Sequence, residues 1–129
     1  MLLIRLEEVV MKIKEIFIDL SYEDNHQLLK NIANLILKYE TNLTSKKILH
    51  DIDVRNKQGE GLMTPNVLSV HIQDELVEKD IVFYVTLDKK YNYFSKILNQ
   101  QFQISKLVVI VVNPQHKLDH LSKLEDFIA

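Results

Sequence analysis

Gly59-Glu60-Gly61-Leu62-Met63-Thr64-Pro65-Asn66 holds three of the chain's four Gly and Pro residues, so the backbone punctuation is concentrated in one short segment. That segment is where a site is expected, because glycine lets backbone approach a ligand closely and proline fixes the chain beside it. A plainer reading is also open. Gly59 and Gly61 could supply positive φ for a helix-to-strand turn, with Pro65 ending the strand. The remaining chemistry lies with five histidines. His71 follows Asn66 by five residues on an expected strand, where alternation points it away from the face shared by Val70 and Ile72. His116 and His120 are four apart and expected on one face of the last helix. Such a pair could bind a metal with a third ligand, but Asp119 is off that face, so both read as surface residues. His26 and His50 belong to polar helix faces. No cysteine occurs, which removes disulfides, thiolate metal sites and cysteine nucleophiles together. Neither a metal nor any other cofactor is expected.

Tyr84, Tyr91, Tyr93 and Phe94 read as core and core edge, since no arginine is interleaved to make them a base-stacking platform. Charge agrees. Sixteen basic and 18 acidic residues are scattered along 129 positions for a net of −2, leaving no electrostatic footprint for a polyanion, so direct nucleic-acid binding is not expected. After Met1 only Leu2, Leu3 and Ile4 precede the first charge, short of a signal core or a membrane span, and the chain reads as cytoplasmic without membrane insertion. At 47% apolar it can bury roughly two thirds of its unfolded surface as one domain, residues 1–129.

The elements that must position the segment are legible from periodicity. Leu2, Leu3, Leu6, Val9, Val10 and Ile13 predict an amphipathic helix over residues 2–14, an N-terminal extension. Ile16, Ile18 and Leu20 predict a strand, and Ser21-Tyr22-Glu23-Asp24 a capping box opening a helix of about five turns that carries Leu28, Leu29, Ile32, Leu35, Ile36 and Tyr39. Thr44 or Ser45 caps a third helix with Ile48, Leu49 and Ile52, ending near Arg55. Residues 67–72 and 81–87 are rich in β-branched and aromatic side chains and predict strands. Residues 88–105 are expected as helix or ordered loop. Leu107 to Val112 is continuously apolar, as a strand buried on both faces requires. Asn113-Pro114 stops it, and Leu118, Leu121, Leu124, Phe127 and Ile128 resume helical spacing. Alternating helices and strands define an α/β class with a central mixed sheet flanked by helices on both faces.

The segment from Gly59 to Asn66 is similar to the signature of enzyme IIA of the bacterial sugar phosphotransferase system, mannitol/fructose class: a glycine-rich stretch running into a small-apolar-Pro-His ending. Ile16 to Leu20 followed by a helix resembles that family's entry, and Arg55 looks like its arginine closing the helix before the signature. The strand 107–112, Asn113-Pro114 and His120-Leu121-Ser122-Lys123-Leu124 look like its late strand and the helix carrying its second histidine. The resemblance spans roughly residues 16–129.

Three departures stand out. Asn66 occupies the phosphoacceptor position, the connection from Arg55 to the glycines is short, and the chain stops at Ala129 where family members usually continue. A phosphocarrier imidazole attacks phosphorus through an available lone pair and yields a labile phosphoramidate. The amide nitrogen of Asn66 is conjugated with its carbonyl and is no nucleophile. The resemblance therefore implies a pocket formed by Arg55, Gly59, Gly61, Thr64, Pro65, Asn66 and His120 in a non-phosphorylatable regulatory or binding version of the domain. Such domains also occur at the ends of transcriptional regulators. Implied partners are the histidine phosphocarrier protein or an enzyme IIB, and a homodimer covering the exposed end is compatible. Two rivals stand beside it: an active carrier using His71 or His120, and an unrelated α/β interaction domain.

Overall fold

The apolar run 107–112 occupies the middle of the molecule. In the computed structural model, which describes residues 12–117 and 120–129, it is the second half of a long strand, β5 (Gln100–Val112). The other strands are β1 (Lys14–Leu20), β2 (Leu62–Thr64), β3 (Val67–Gln73) and β4 (Ile81–Ser95). They form one five-stranded sheet of order β1-β4-β5-β3-β2. The sheet is mixed: β5 pairs antiparallel with β4 and parallel with β3, β1 runs parallel to β4, and β2 antiparallel to β3.

Alternation along β5 feeds two cores. Leu107, Val109 and Val111 face helices α1 (Asn25–Leu37) and α2 (Ser45–Asn56), against Leu28, Ile32, Ile36, Ile48 and Ile52. Val108 faces the other side with Val67, Val82, Tyr84 and Phe127 of the short helix α3 (Leu124–Ile128). Each such side chain stabilises the fold by roughly 1.5–3 kcal/mol relative to exposure, which is why a central strand tolerates no polar alternation. The α/β class with helices on both faces is as expected.

Local signals fared unevenly. Thr44 caps α2 as expected, its Oγ1 accepting from the Lys47 amide at 3.1 Å. Helix α1 opens three residues later than the expected Ser21 cap. Asp24 is the cap, accepting from the Gln27 amide at 2.9 Å while Gln27 Oε1 accepts from the Glu23 amide at 2.7 Å. The delay has a packing cause: Tyr22 is buried, its hydroxyl donating to the Lys89 carbonyl and its ring meeting Tyr91 edge-on, so the chain cannot turn helical before it passes the sheet. At its other end α1 stops after 13 residues, short of five turns. Tyr39 and Glu40 both donate amides to the Ile36 carbonyl, which swings the Tyr39 ring onto Phe83 at 5.3 Å.

Two expectations are corrected. Residues 88–105 are neither helix nor loop; they are the outer half of a β4–β5 hairpin, in which Tyr91 pairs with Ile104, Tyr93 with Phe102 and Ser95 with Gln100. Tyr91, Phe94 and Leu98 imitate helical spacing, yet the partly buried Tyr91 and Tyr93 and the buried Ser95 are two apart, the strand period. The hairpin turns without glycine or proline, on Asn99 at φ 52°. The last helix is confined to Leu124–Ile128, and His116 is not on it. His116 sits in the turn after β5 with Nδ1 2.7 Å from Asp80 Oδ2, so the expected pairing of His116 with His120 on one helix face does not form. The predicted 2–14 helix lies mostly outside the described residues; at its end, Lys14 already belongs to β1.

Candidate functional site: the glycine segment and its surroundings

The segment 59–66 follows α2, contains β2 and turns into β3. Gly61 is required by proximity. A Cβ there would stand 2.2 Å from the Ser69 carbonyl oxygen and 2.9 Å from Ser69 Oγ. The Gly61 carbonyl instead accepts from both the amide and the hydroxyl of Ser69, at 2.7 and 2.8 Å.

Glu60, between the two glycines, ties the segment to the β4–β5 hairpin. One carboxylate oxygen accepts from the Tyr93 hydroxyl, the other from Ser95 Oγ at 3.0 Å and the Ile97 amide at 2.8 Å. The Tyr93 hydroxyl and the Ile97 amide hold the Glu60 carboxyl below its ordinary pKa, and burial followed by the Glu60 carboxylate pushes the Tyr93 phenol up. Between this tie and α1 and α2 lies a cleft of about 550 Å³, lined in part by Gly59, Glu60 and Gly61.

Asn66 closes the tight β2–β3 turn and is exposed. Its Oδ1 accepts from Thr64 Oγ1 at 2.8 Å, its amide donates to the same oxygen at 3.3 Å, and Nδ2 donates to Ser105 Oγ at 3.4 Å. The Asn66 carbonyl accepts from the amides of Ser105 and Lys106, where β3 begins pairing with β5. Both functional groups of the Asn66 side chain are thus engaged, the oxygen by Thr64 and the nitrogen by Ser105.

Arg55, in the last turn of α2, brings a guanidinium nitrogen 3.9 Å from where a Gly59 Cβ would stand. Its charge also reaches His71. Burial first, and Arg55 second, lower the His71 pKa below its ordinary value, so that imidazole is neutral at pH 7. His71 is half-buried rather than simply solvated.

His120 precedes α3 on a segment anchored elsewhere. Ser122 Oγ and the Lys123 amide donate to Glu15 on β1, at 2.6 and 3.0 Å, and Tyr84 donates its hydroxyl to the same carboxylate. Ladder register locates this anchor: Val67 pairs with Lys106, Lys106 with Thr86 and Thr86 with Asp19, so Asn66 is level with the end of β1 and three strands from it. Glu15 lies further back along that strand. The expected set therefore divides. Thr64, Pro65 and Asn66 share the turn, Gly59 and Gly61 line the cleft beside Arg55, and the residues following His120 bond across the sheet.

Ser105 was not visible as a site residue, being 39 positions from Asn66 and adjacent only through the parallel pairing of β3 with β5. Glu60 was visible as part of the glycine segment, but nothing local indicates its partners Tyr93 and Ser95. Among the described residues, no group of three or more His, Asp or Glu is arranged to hold a metal ion, and no helix is long and apolar enough to cross a membrane.

The fold is similar to that of nitrogen regulatory protein IIA-Ntr from Neisseria meningitidis, with a TM-score of 0.62 and 14% identity over 88% of this chain and 70% of that one. It is also similar to a putative PTS IIA (PtxA) from Streptococcus mutans, with a TM-score of 0.51 and 16% identity over 75% of this chain and 60% of that one. At such identities these likenesses concern the fold. Sequence decides the family: residues 9–129 match the model described as "Phosphoenolpyruvate-dependent sugar phosphotransferase system, EIIA 2", and the chain belongs to that family. Comparison with curated proteins found no match.

Proposed function

We propose that this chain is a IIA domain that carries no phosphate on its signature turn and serves as a regulatory or binding module. The observation behind this reading is Asn66, which ends the signature-like segment with an amide engaged by Thr64 and Ser105. A phosphoryl acceptor needs a nitrogen lone pair aligned with phosphorus, and an amide lacks one. Membership of the EIIA 2 family supports docking to other phosphotransferase-system proteins, a histidine phosphocarrier protein or an enzyme IIB, in the cytoplasm. Binding without transfer makes the domain a reporter of its partner's state rather than a relay.

One observation favours a second reading. His71 is neutral and has a guanidinium nearby, the pairing a phosphoryl-accepting imidazole requires. His120 is the other imidazole in this rival reading.

Intact-mass analysis after incubation with phosphoenolpyruvate, enzyme I and the phosphocarrier protein separates these readings, with acid treatment as the control for phosphohistidine. The expected result is no added phosphate on the native chain and one acid-labile phosphate on Asn66→His. Phosphate on the native chain would overturn the proposal and direct substitution to His71 and His120. No phosphate on either chain would remove the claim that the turn retains the family's acceptor geometry.

A further inference from the structure

The cleft beside the glycine segment is unused by the signature turn, and its construction suits a ligand. Its floor is apolar, built from Leu28, Ile32 and Ile52 of the helices and Val70 and Leu107 of the sheet. Around the mouth stand Leu29, Phe94 and Ile97, three of the nine exposed large apolar side chains among the described residues, at 40, 47 and 74%. Exposed apolar groups gathered at one cleft, rather than scattered, mark a place where an apolar body is covered. The volume, about 550 Å³, falls within the size range of small-molecule sites.

The walls are also fixed relative to each other. Glu60 links the glycine segment to Tyr93, Ser95 and Ile97 of the hairpin, so the cleft is shaped before anything enters, which lowers the ordering cost of binding.

Charge decides the ligand class. Lys57, Lys96 and Glu60 are the charged residues lining the cleft. Both Glu60 oxygens are taken up by the hairpin donors, which leaves the carboxylate little capacity for a cationic ligand. Lys57 is paired with Asp53 at 3.2 Å, but both side chains are largely solvated and such a pair exchanges readily. Lys96 adds a second ammonium at the rim. The start of α1 at Asn25 and the end of α2 at Asn56 both border the cleft, and their dipoles oppose each other, so the lysines set the sign.

We infer that this cleft binds an amphipathic anion, a medium-length aliphatic or aromatic carboxylate whose apolar body lies on the Leu28–Ile52–Leu107 floor and whose head meets Lys57 and Lys96. The apolar floor offers a sugar no convergent hydrogen-bonding groups. The inference is independent of whether the signature turn carries phosphate.

Calorimetric titration of the full chain with decanoate, decylammonium and 1-decanol tests it. One decanoate binds per chain, and decylammonium binds about tenfold more weakly or worse. Lys57→Glu with Lys96→Glu lowers decanoate affinity by about tenfold and leaves 1-decanol unchanged. Leu29→Trp, at an exposed position on the rim, fills the cleft and weakens both. Equal binding of decylammonium and decanoate, or no saturable binding of any probe, overturns the inference. Should the Leu29 variant fail to fold, amide shifts in the native chain decide the location: decanoate must move Gly59, Glu60, Gly61 and Ile97, and shifts confined elsewhere overturn the site.

Discussion

Asp51 on α2 and Asp74 after β3 are two buried carboxylates that share one lysine, Lys47, whose ammonium lies 3.4 Å from Asp51 Oδ1 and 3.2 Å from Asp74 Oδ2. Both are more than nine-tenths shielded, and Asp51 Oδ2 has no hydrogen-bond donor. One positive charge cannot satisfy two buried negative ones, so the pair holds a proton more tightly than isolated carboxylates do. Burial and then the Asp74 carboxylate push Asp51 up to about 6, while Asp74, bonded by Asp51 and the Leu76 amide, is held down.

The sign of the pH dependence follows. Between its unfolded value near 3.8 and about 6, Asp51 is protonated in the folded chain and ionised in the unfolded one, so stability falls as pH rises through that window. Asp51→Asn is expected to flatten stability between pH 4 and 6 and to raise it at pH 7.5 by about 1–2 kcal/mol. Urea unfolding at a series of pH values checks this, and an unchanged slope between pH 4 and 6 refutes it.

Gly61→Ala places a methyl group 2.2 Å from the Ser69 carbonyl oxygen, a backbone atom that cannot move without disturbing β3. The expected loss is about 2–3 kcal/mol, from overpacking and the weakened Ser69–Gly61 hydrogen bonds. A fall in the urea midpoint with an unchanged m value is the signature. A fully stable variant would mean that the glycine segment is free to move away from β3.

The neutral state of His71 depends in part on Arg55. Arg55→Gln is expected to raise the His71 titration midpoint towards its ordinary value, read from imidazole proton shifts. Folded His71 binds its proton less tightly than the unfolded chain does, so its contribution to stability grows as pH rises from the folded midpoint to about 6.5 and is lost on acidification. An unmoved midpoint would separate Arg55 from His71.

Tyr84→Phe removes the hydroxyl that anchors Glu15 while keeping the ring packed between Phe17 and Phe127, at 4.9 and 5.0 Å. Glu15 retains Ser122 and Lys123 as donors. The expected cost is about 1 kcal/mol, with faster hydrogen exchange at the Lys123 amide. Unaltered exchange would show that the segment after His120 is held by other contacts.

Legibility tracked locality. The central strand was readable because 107–112 is apolar on both alternating faces, which only two-sided burial explains, and α2 because Thr44 supplies its cap within one turn. The β4–β5 hairpin was not, since Tyr91, Phe94 and Leu98 fit a helical period as well, and what selects strand is the cross-strand pairing of Tyr91 with Ile104. His116 was misread because its partner Asp80 is 36 residues away.

The site divides along the same line. Residue type alone determined that the glycine segment runs into an amide side chain at Asn66, and order and spacing determined the family resemblance, because both are properties of the covalent chain. Tertiary structure decided that Ser105 accepts from that amide, where Glu60 directs its carboxylate, and that a cleft opens between the glycines and the hairpin. Those arrangements depend on strand register and helix packing, which bring together residues whose separation along the chain carries no local trace.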